Sequence, residues 1–173
     1  MSDNRSGTRP INARLPNGQR VAMTSPRLQI GRHSEIAQVY AVTTVTLGRA
    51  PLFKEPDNAA VIIDALRFVD ATKRTCSLAW VVMPDHVHWM FQLRSGTLAA
   101  CMQMFKSRSG RLLNQRLGRG APLWQPGYFD HAVRCDESLR RQAVYIAANP
   151  VRAGLVGRLG EYPHAWCRWP LQE

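Results

Sequence analysis

Two apolar runs, Cys76 to Met83 and His86 to Leu93, are separated only by Pro84-Asp85. Each has the length and the Val, Trp and Phe content of a strand, and so short a link suits an antiparallel hairpin. The neighbours Val81, Val82, Met83, Val87, Met90 and Phe91 are all apolar. The hairpin is therefore expected at the rigid centre of a sheet.

The flanking segments supply the rest of that sheet and its cover. Ile36 to Thr46 is dense in Val, Tyr and Thr and reads as a strand, broken by Gly48-Arg49-Ala50-Pro51. Val61, Ile62, Ala65, Leu66 and Val69 fall at helical spacing and predict a helix from about Asn58 to Lys73, with Asp57 as its cap. Ser95-Gly96-Thr97 opens a second helix to about Leu117, ended by Gly118-Arg119-Gly120. Tyr128 to Arg134 reads as a short strand. Asp136 can cap a last helix, which Pro150 stops near Asn149. The order β-α-β-β-α-β-α predicts an α+β fold. It is a ferredoxin-like split β-α-β antiparallel sheet with helices on one face, plus a C-terminal helix carrying a tyrosine. Residues 1–30, rich in Gly, Pro, Arg, Asn and Ser, are expected to form a loosely ordered basic arm, and 31–173 a single domain.

Such a fold implies no particular activity, so charge and motifs must carry the functional reading. Lys plus Arg total 23 against 12 Asp plus Glu, a net charge of +11, and only Lys54, Lys73 and Lys106 are lysines. Arginine grips phosphate through a planar fork, so this excess points to a nucleic-acid partner. No apolar run reaches membrane-spanning length, and the first residues lack the apolar stretch of a secretion signal. The cysteines Cys76, Cys101, Cys135 and Cys167 form no C-x-x-C pair. They read as reduced, mostly buried thiols of a cytoplasmic protein.

Within the hairpin, His86 and His88 alternate with Val87 and so share one sheet face. Two imidazoles a few ångströms apart on a stiff strand can hold one divalent ion, although H-x-H alone also fits two unrelated histidines. On the last helix, Arg141, Tyr145 and Asn149 are each four apart and share a flank. A phenol there could attack phosphorus if a cation favoured its ionised form, and the Asn149 amide oxygen could be a third metal ligand. The same residues also read as an aromatic packed on the sheet and a cap for a short turn through Pro150 to Gly154. Trp124-Gln125-Pro126-Gly127-Tyr128-Phe129-Asp130-His131 either stacks on unpaired bases or braces the last helix. Tyr128 and His131 rival Tyr145 and the histidine pair as site residues.

Taken together, Pro84-Asp85-His86-Val87-His88-Trp89, then Trp124 to His131, then Tyr145-Ile146-Ala147-Ala148-Asn149-Pro150-Val151-Arg152-Ala153-Gly154, resemble the REP-associated tyrosine transposases, single-tyrosine HUH transposases of insertion sequences. The likeness runs from about Gly31 to Trp169 and includes the ending Tyr162-Pro163-His164-Ala165-Trp166. It implies that His86 and His88, with Asn149 as third ligand, hold Mg or Mn, and that Tyr145 is the nucleophile. It further implies a covalent 5′-phosphotyrosine intermediate and single-stranded or hairpin DNA as substrate. A monomer is favoured over a dimer, the protein is nucleoid-associated, and no small-molecule cofactor is needed. Arg27 and Arg32 of the arm, Arg108, Arg111, Trp124, Gln125 and Arg141 are the candidate DNA contacts. The alternative is a non-catalytic protein that binds structured nucleic acid on the same fold; a hydrolytic nuclease with a water nucleophile is a third reading.

Overall fold

A computed structural model describes residues 34–133 and 136–171 of the chain. The N-terminal arm, with Arg27 and Arg32, and Cys135 lie outside them, as does the expected capping side chain of Asp136.

The elements run β1 (Val39–Val45), α1 (Pro56–Ala71), β2 (Thr75–Met83), β3 (His86–Leu93), α2 (Leu98–Leu117), β4 (Phe129–Val133), α3 (Asp136–Ala147), α4 (Asn149–Arg152) and β5 (Ala165–Cys167). Short 3-10 turns at Leu47–Arg49 and Leu52–Lys54 join β1 to α1. The sheet has the order β4-β1-β3-β2-β5, and its neighbours pair antiparallel. Its first four strands are those the split β-α-β order predicts. The fifth was not expected. Residues 165–167 are too few to show a period, and they gain strand geometry only by pairing with Val81 to Ala79 on the outer edge of β2.

Two apolar layers sandwich the sheet. On one face Val87, Trp89, Phe91 and Leu93 of β3 meet Ile62, Leu66 and Val69 of α1 and Met102, Phe105 and Leu113 of α2. An aromatic chain runs through this layer: Phe91, Trp89, Phe105, Trp124 and Phe53 have successive ring centroids 4.1, 5.6, 5.6 and 5.5 Å apart. Each such ring contributes about 1.5–3 kcal/mol by burial, and ring pairs add to that. The opposite face carries Val39, Ala41, Ala79, Val81 and Met90, covered by Ala143 and Ile146 of α3. Thus α1 and α2 share one face and the tyrosine helix takes the other.

The helix ends follow local chemistry. Thr97 caps α2 by accepting the Ala100 N–H at 3.1 Å, and Gly118 closes it in the left-handed conformation, φ 61°. Asp57 is not the cap of α1. Glu55 holds that position, Pro56 starts the helix, and Asp57 lies in the first turn, paired with Arg116 of α2. A proline with its fixed φ suits the first helical position, so the start moves upstream. Helix α3 stops at Ala147, and a short α4 follows the bend at Ala148, φ −83° and ψ 0°. Among the described residues Cys76, Cys101 and Cys167 are free thiols, and no helix is long and apolar enough to cross a membrane.

Candidate active site

The β2–β3 hairpin turns through Pro84 and Asp85 alone, because Met83 pairs with His86. Both carbonyls of the turn are held. Phe53 N–H donates to Pro84 O at 3.0 Å, while the Thr46 N–H and hydroxyl donate to Asp85 O at 2.9 and 3.0 Å. The turn is thereby fastened to the end of β1. The following residues, Gly48 (φ 63°) and Arg49 (φ 54°), adopt left-handed backbone, a strained state for a non-glycine residue. That conformation brings Arg49 Nη1 to Asp85 Oδ2 at 3.0 Å.

On this anchored strand, His86 and His88 share the face of Met90, which is the α3 face. Their Nε2 atoms are 3.2 Å apart and the rings meet edge-on at 88°. Each ring is held from behind. His86 Nδ1 lies 2.5 Å from Asp85 Oδ1, and His88 Nδ1 lies 2.8 Å from Thr43 Oγ1, its register partner on β1. Burial alone would raise the Asp85 carboxyl, but hydrogen bonds and charge from His86 and Arg49 outweigh it and hold the group below its usual value. An ionised carboxylate accepts only, so His86 Nδ1 carries a hydrogen. Burial pushes the His88 pKa down to about 3. The charges of His86 and Arg152 add to the shift and Asp85 opposes it. His88 is therefore neutral at physiological pH, and the Thr43 hydroxyl, which can donate or accept, holds the Nδ1 side of its ring.

This donor pair fits a divalent cation. Two nitrogens that share one ion through bonds of about 2.1 Å, at tetrahedral to octahedral angles, sit about 3.0–3.4 Å apart. Carboxylate and hydroxyl partners on the far nitrogens are the usual support for such ligands. Among the described residues no third His, Cys, Asp or Glu joins them. Asn149, the expected third ligand, stands at the α3–α4 bend and uses its Nδ2 to donate to Ile146 O at 2.9 Å. Its amide is thus oriented by the helix end.

Tyr145 is half-buried on α3, beside Ile146 of the core. The Arg152 guanidinium lies over its ring, 3.7 Å from the centroid, and Nη2 donates to the Tyr145 carbonyl at 2.9 Å. The Arg152 charge also contributes to the lowered His88 pKa. Arg141, the arginine expected beside Tyr145, is exposed one turn earlier.

Other candidates lie apart from this cluster. Arg108 and Arg111 ride on α2, across the sheet from the histidines. Arg108 stacks on Phe68 at 3.8 Å, and Arg111 is exposed. Trp124 does not offer a face to a base. It is buried between Phe53 and Phe105 with its indole N–H donating to Ser109 Oγ at 3.0 Å, so its part of the loop is a brace. The brace holds the β1–α2 side of the core, not the last helix as one reading had it. Gln125 N–H donates to Val45 O at 2.8 Å, level with His86 across the sheet, because Val45 is the register partner of His86. Lys106 fastens the same loop through Gln125 O and Gly127 O, both at 2.7 Å, and burial lowers its pKa. Tyr128 packs against the α1–α2 core, and His131 sits on β4 opposite Ala41, outside the histidine pair.

The sequence reading missed Asp85, Thr43, Arg49 and Arg152. Asp85 was visible as an acid abutting a histidine at a tight turn, and Arg152 stands seven residues, two helical turns, beyond Tyr145. Thr43 could come only from strand register.

The chain belongs to the transposase family described as IS200-like, whose family model matches residues 36–149. More particularly, it is similar to the REP-associated tyrosine transposase of Escherichia coli (strain K12), 33% identical over 88 residues, covering 49% of this chain and 50% of that protein. A second relative assigned to that group, from Haemophilus influenzae, is 28% identical over 115 residues, 57% of this chain and 65% of the other. The chain thus spans about half to two thirds of the length of these curated relatives. Among solved structures, a REP-associated tyrosine transposase bound to a REP hairpin superposes with a TM-score of 0.66 at 22% identity, covering 79% of this chain and 81% of that one. At that identity the likeness establishes a shared fold.

Proposed function

We propose that this chain is a metal-dependent transposase that nicks and rejoins single-stranded DNA through Tyr145, acting on hairpin DNA of the REP type. One observation carries the reading. Two histidine nitrogens converge at 3.2 Å on the sheet face that the tyrosine-bearing helix covers. Family membership and the hairpin seen with the structural relative support the substrate class.

His86 and His88 would hold the ion, with the Asn149 amide oxygen as third donor; bound there, Mg or Mn supplies positive charge for the phosphate oxygens. The chain's own residues do the rest. Thr43 and Asp85 keep the imidazoles aimed. The Tyr145 oxygen bonds the scissile phosphorus as the bond to the 3′ oxygen breaks. The products are a 5′-phosphotyrosine and a 3′ hydroxyl, and the proton lost by the phenol is balanced by the one gained at that hydroxyl. Attack by another 3′ hydroxyl reverses the step and rejoins strands, with no nucleotide cofactor. The net charge of +11 favours a polyanion as partner.

The test is incubation of the chain with labelled single-stranded hairpin DNA from REP-like repeats and Mn, followed by a denaturing protein gel. A shifted, labelled band that vanishes with chelator and in Tyr145→Phe is the expected result. Cleavage that persists in Tyr145→Phe would overturn the tyrosine mechanism in favour of water. Tight binding with neither adduct nor cleavage would leave a non-catalytic binder.

A further inference from the structure

Arg152 has no place in the reaction just described, yet its geometry is specific. Its guanidinium lies 3.7 Å above the centre of the Tyr145 ring, and Nη2 is bonded to the Tyr145 carbonyl. One side chain therefore touches both the backbone and the aromatic face of the same residue. It starts from α4, on the far side of the Ala148 bend, so the contact also ties α4 to α3. The guanidinium remains exposed at its outer side, and its charge is felt at His88.

We infer that Arg152 is a positioning residue for the Tyr145 nucleophile. This rests on the reading of Tyr145 given above. A tyrosine ring has two free torsions, and a helix surface by itself leaves both populated. A planar cation laid on the ring and pinned through the adjacent carbonyl removes most of that freedom. It holds the ring in one orientation relative to α3 and α4. Attack on phosphorus needs the oxygen in line with the departing 3′ oxygen, and a misplacement of about 1 Å can cost on the order of 100-fold in rate. Lysine could supply the charge but neither the planar stack nor the forked hydrogen bonding, so Arg152→Lys should recover only part of the effect.

The experiment has two independent arms on the full chain. The first needs no turnover. The protein contains four tyrosines, so ring-labelled tyrosine gives few carbon–proton NMR signals, and Tyr145→Phe assigns the one in question. The Tyr145 signals should move in Arg152→Met while those of Tyr40 and Tyr162 stay in place. Unmoved Tyr145 signals would overturn the clamp whatever the activity. The second arm measures single-turnover adduct formation at saturating hairpin DNA, with DNA affinity and thermal midpoint measured separately. Arg152→Met should slow adduct formation by about 10- to 100-fold, with affinity within about threefold and an unchanged midpoint, and Arg152→Lys should fall between. A wild-type rate in Arg152→Met would overturn the inference. So would a loss matched by equal losses of affinity and midpoint, which would make Arg152 a DNA contact or a structural tie. If the wild type forms no adduct but the ring signals respond as expected, the transposase reading fails and the clamp stands.

Discussion

Replacing Thr43 by valine removes one oxygen and adds a methyl of nearly the same size. That oxygen is the only polar neighbour described for the back of the His88 ring, 2.8 Å from Nδ1. With it gone, the Nδ1 side of the ring has no polar partner among the described residues, and the added methyl keeps water from the vacated position. Loss of such a supporting partner typically weakens metal binding 10- to 100-fold. Thr43 is a neutral partner on a half-buried strand position, which argues for the lower end, about 10- to 30-fold, or about 1.4–2 kcal/mol. The substitution touches neither core layer, so the thermal midpoint should stay within about 2 °C, and the adduct rate at subsaturating Mn should fall in step with affinity. Mn titration followed by the resonance of the free aqueous ion reads the dissociation constant directly. Asp85→Asn is the graded companion, because an amide oxygen still accepts from His86 Nδ1 but the charge is lost. An unchanged Mn affinity in Thr43→Val, alongside lost binding in His88→Gln, would refute the claim that the hydroxyl aims the ring.

The neighbouring residue should behave oppositely. Thr44 points to the α1–α2 layer, where its buried hydroxyl has no hydrogen-bond partner among the described residues; Thr44→Val should stabilise the fold by about 1 kcal/mol, and a loss of stability in chemical denaturation would contradict this. In metal-free protein, His88 should make stability fall as pH drops below 6.5. The unfolded chain takes up the proton there, whereas the folded value is depressed to about 3, so the slope is at most about 1.4 kcal/mol per pH unit. His88→Gln should flatten the wild-type loss of midpoint between pH 7 and 5, and parallel curves would exclude the effect. Trp124→Phe removes the indole hydrogen bond to Ser109 Oγ, which keeps its own bond to Phe105 O, and leaves a smaller ring in the core, so it should cost about 1–3 kcal/mol while leaving hairpin affinity intact; lost affinity at unchanged stability would favour Trp124 as a DNA contact.

Much of the fold was legible because the hairpin announces itself. The apolar alternation on both sides of Pro84-Asp85 fixes two central strands, and β3 begins and ends where the pattern does. Helical spacing located α1 and α2 to within a few residues. The histidine pair was legible for the same reason, since alternation alone puts His86 and His88 on one face. What stayed hidden depends on contacts between distant segments. Thr43 meets His88 through register across 45 residues, and β5 exists only through its pairing with β2. Arginine side chains were the hardest to place. Arg108 and Arg111 were expected as DNA contacts, but charge along a helix does not say which face of the sheet that helix covers. Arg152 was missed although it ends the short helical turn that Pro150 opens, because nothing in the spacing shows its side chain folding back over Tyr145.

The two faces of β3 divide the labour of this site. Val87, Trp89, Phe91 and Leu93 are locked into an aromatic and aliphatic layer with almost no exposed surface. A strand gripped that firmly on one side cannot twist or slide, and the side chains between those anchors inherit the rigidity. His86 and His88 therefore need only one hydrogen bond each to be fully aimed. Tyr145 has the opposite support. It stands on a surface helix that ends at a bend, and its neighbours on that helix, Ala143 and Ile146, bury only small or medium side chains. A nucleophile placed there, as proposed above, would need its resting orientation held by a neighbour. The histidine half of the site lies in the centre of the sheet, and the tyrosine half lies on α3 and α4. Between them lies Arg152, whose guanidinium stacks on the Tyr145 ring and whose charge lowers the His88 pKa.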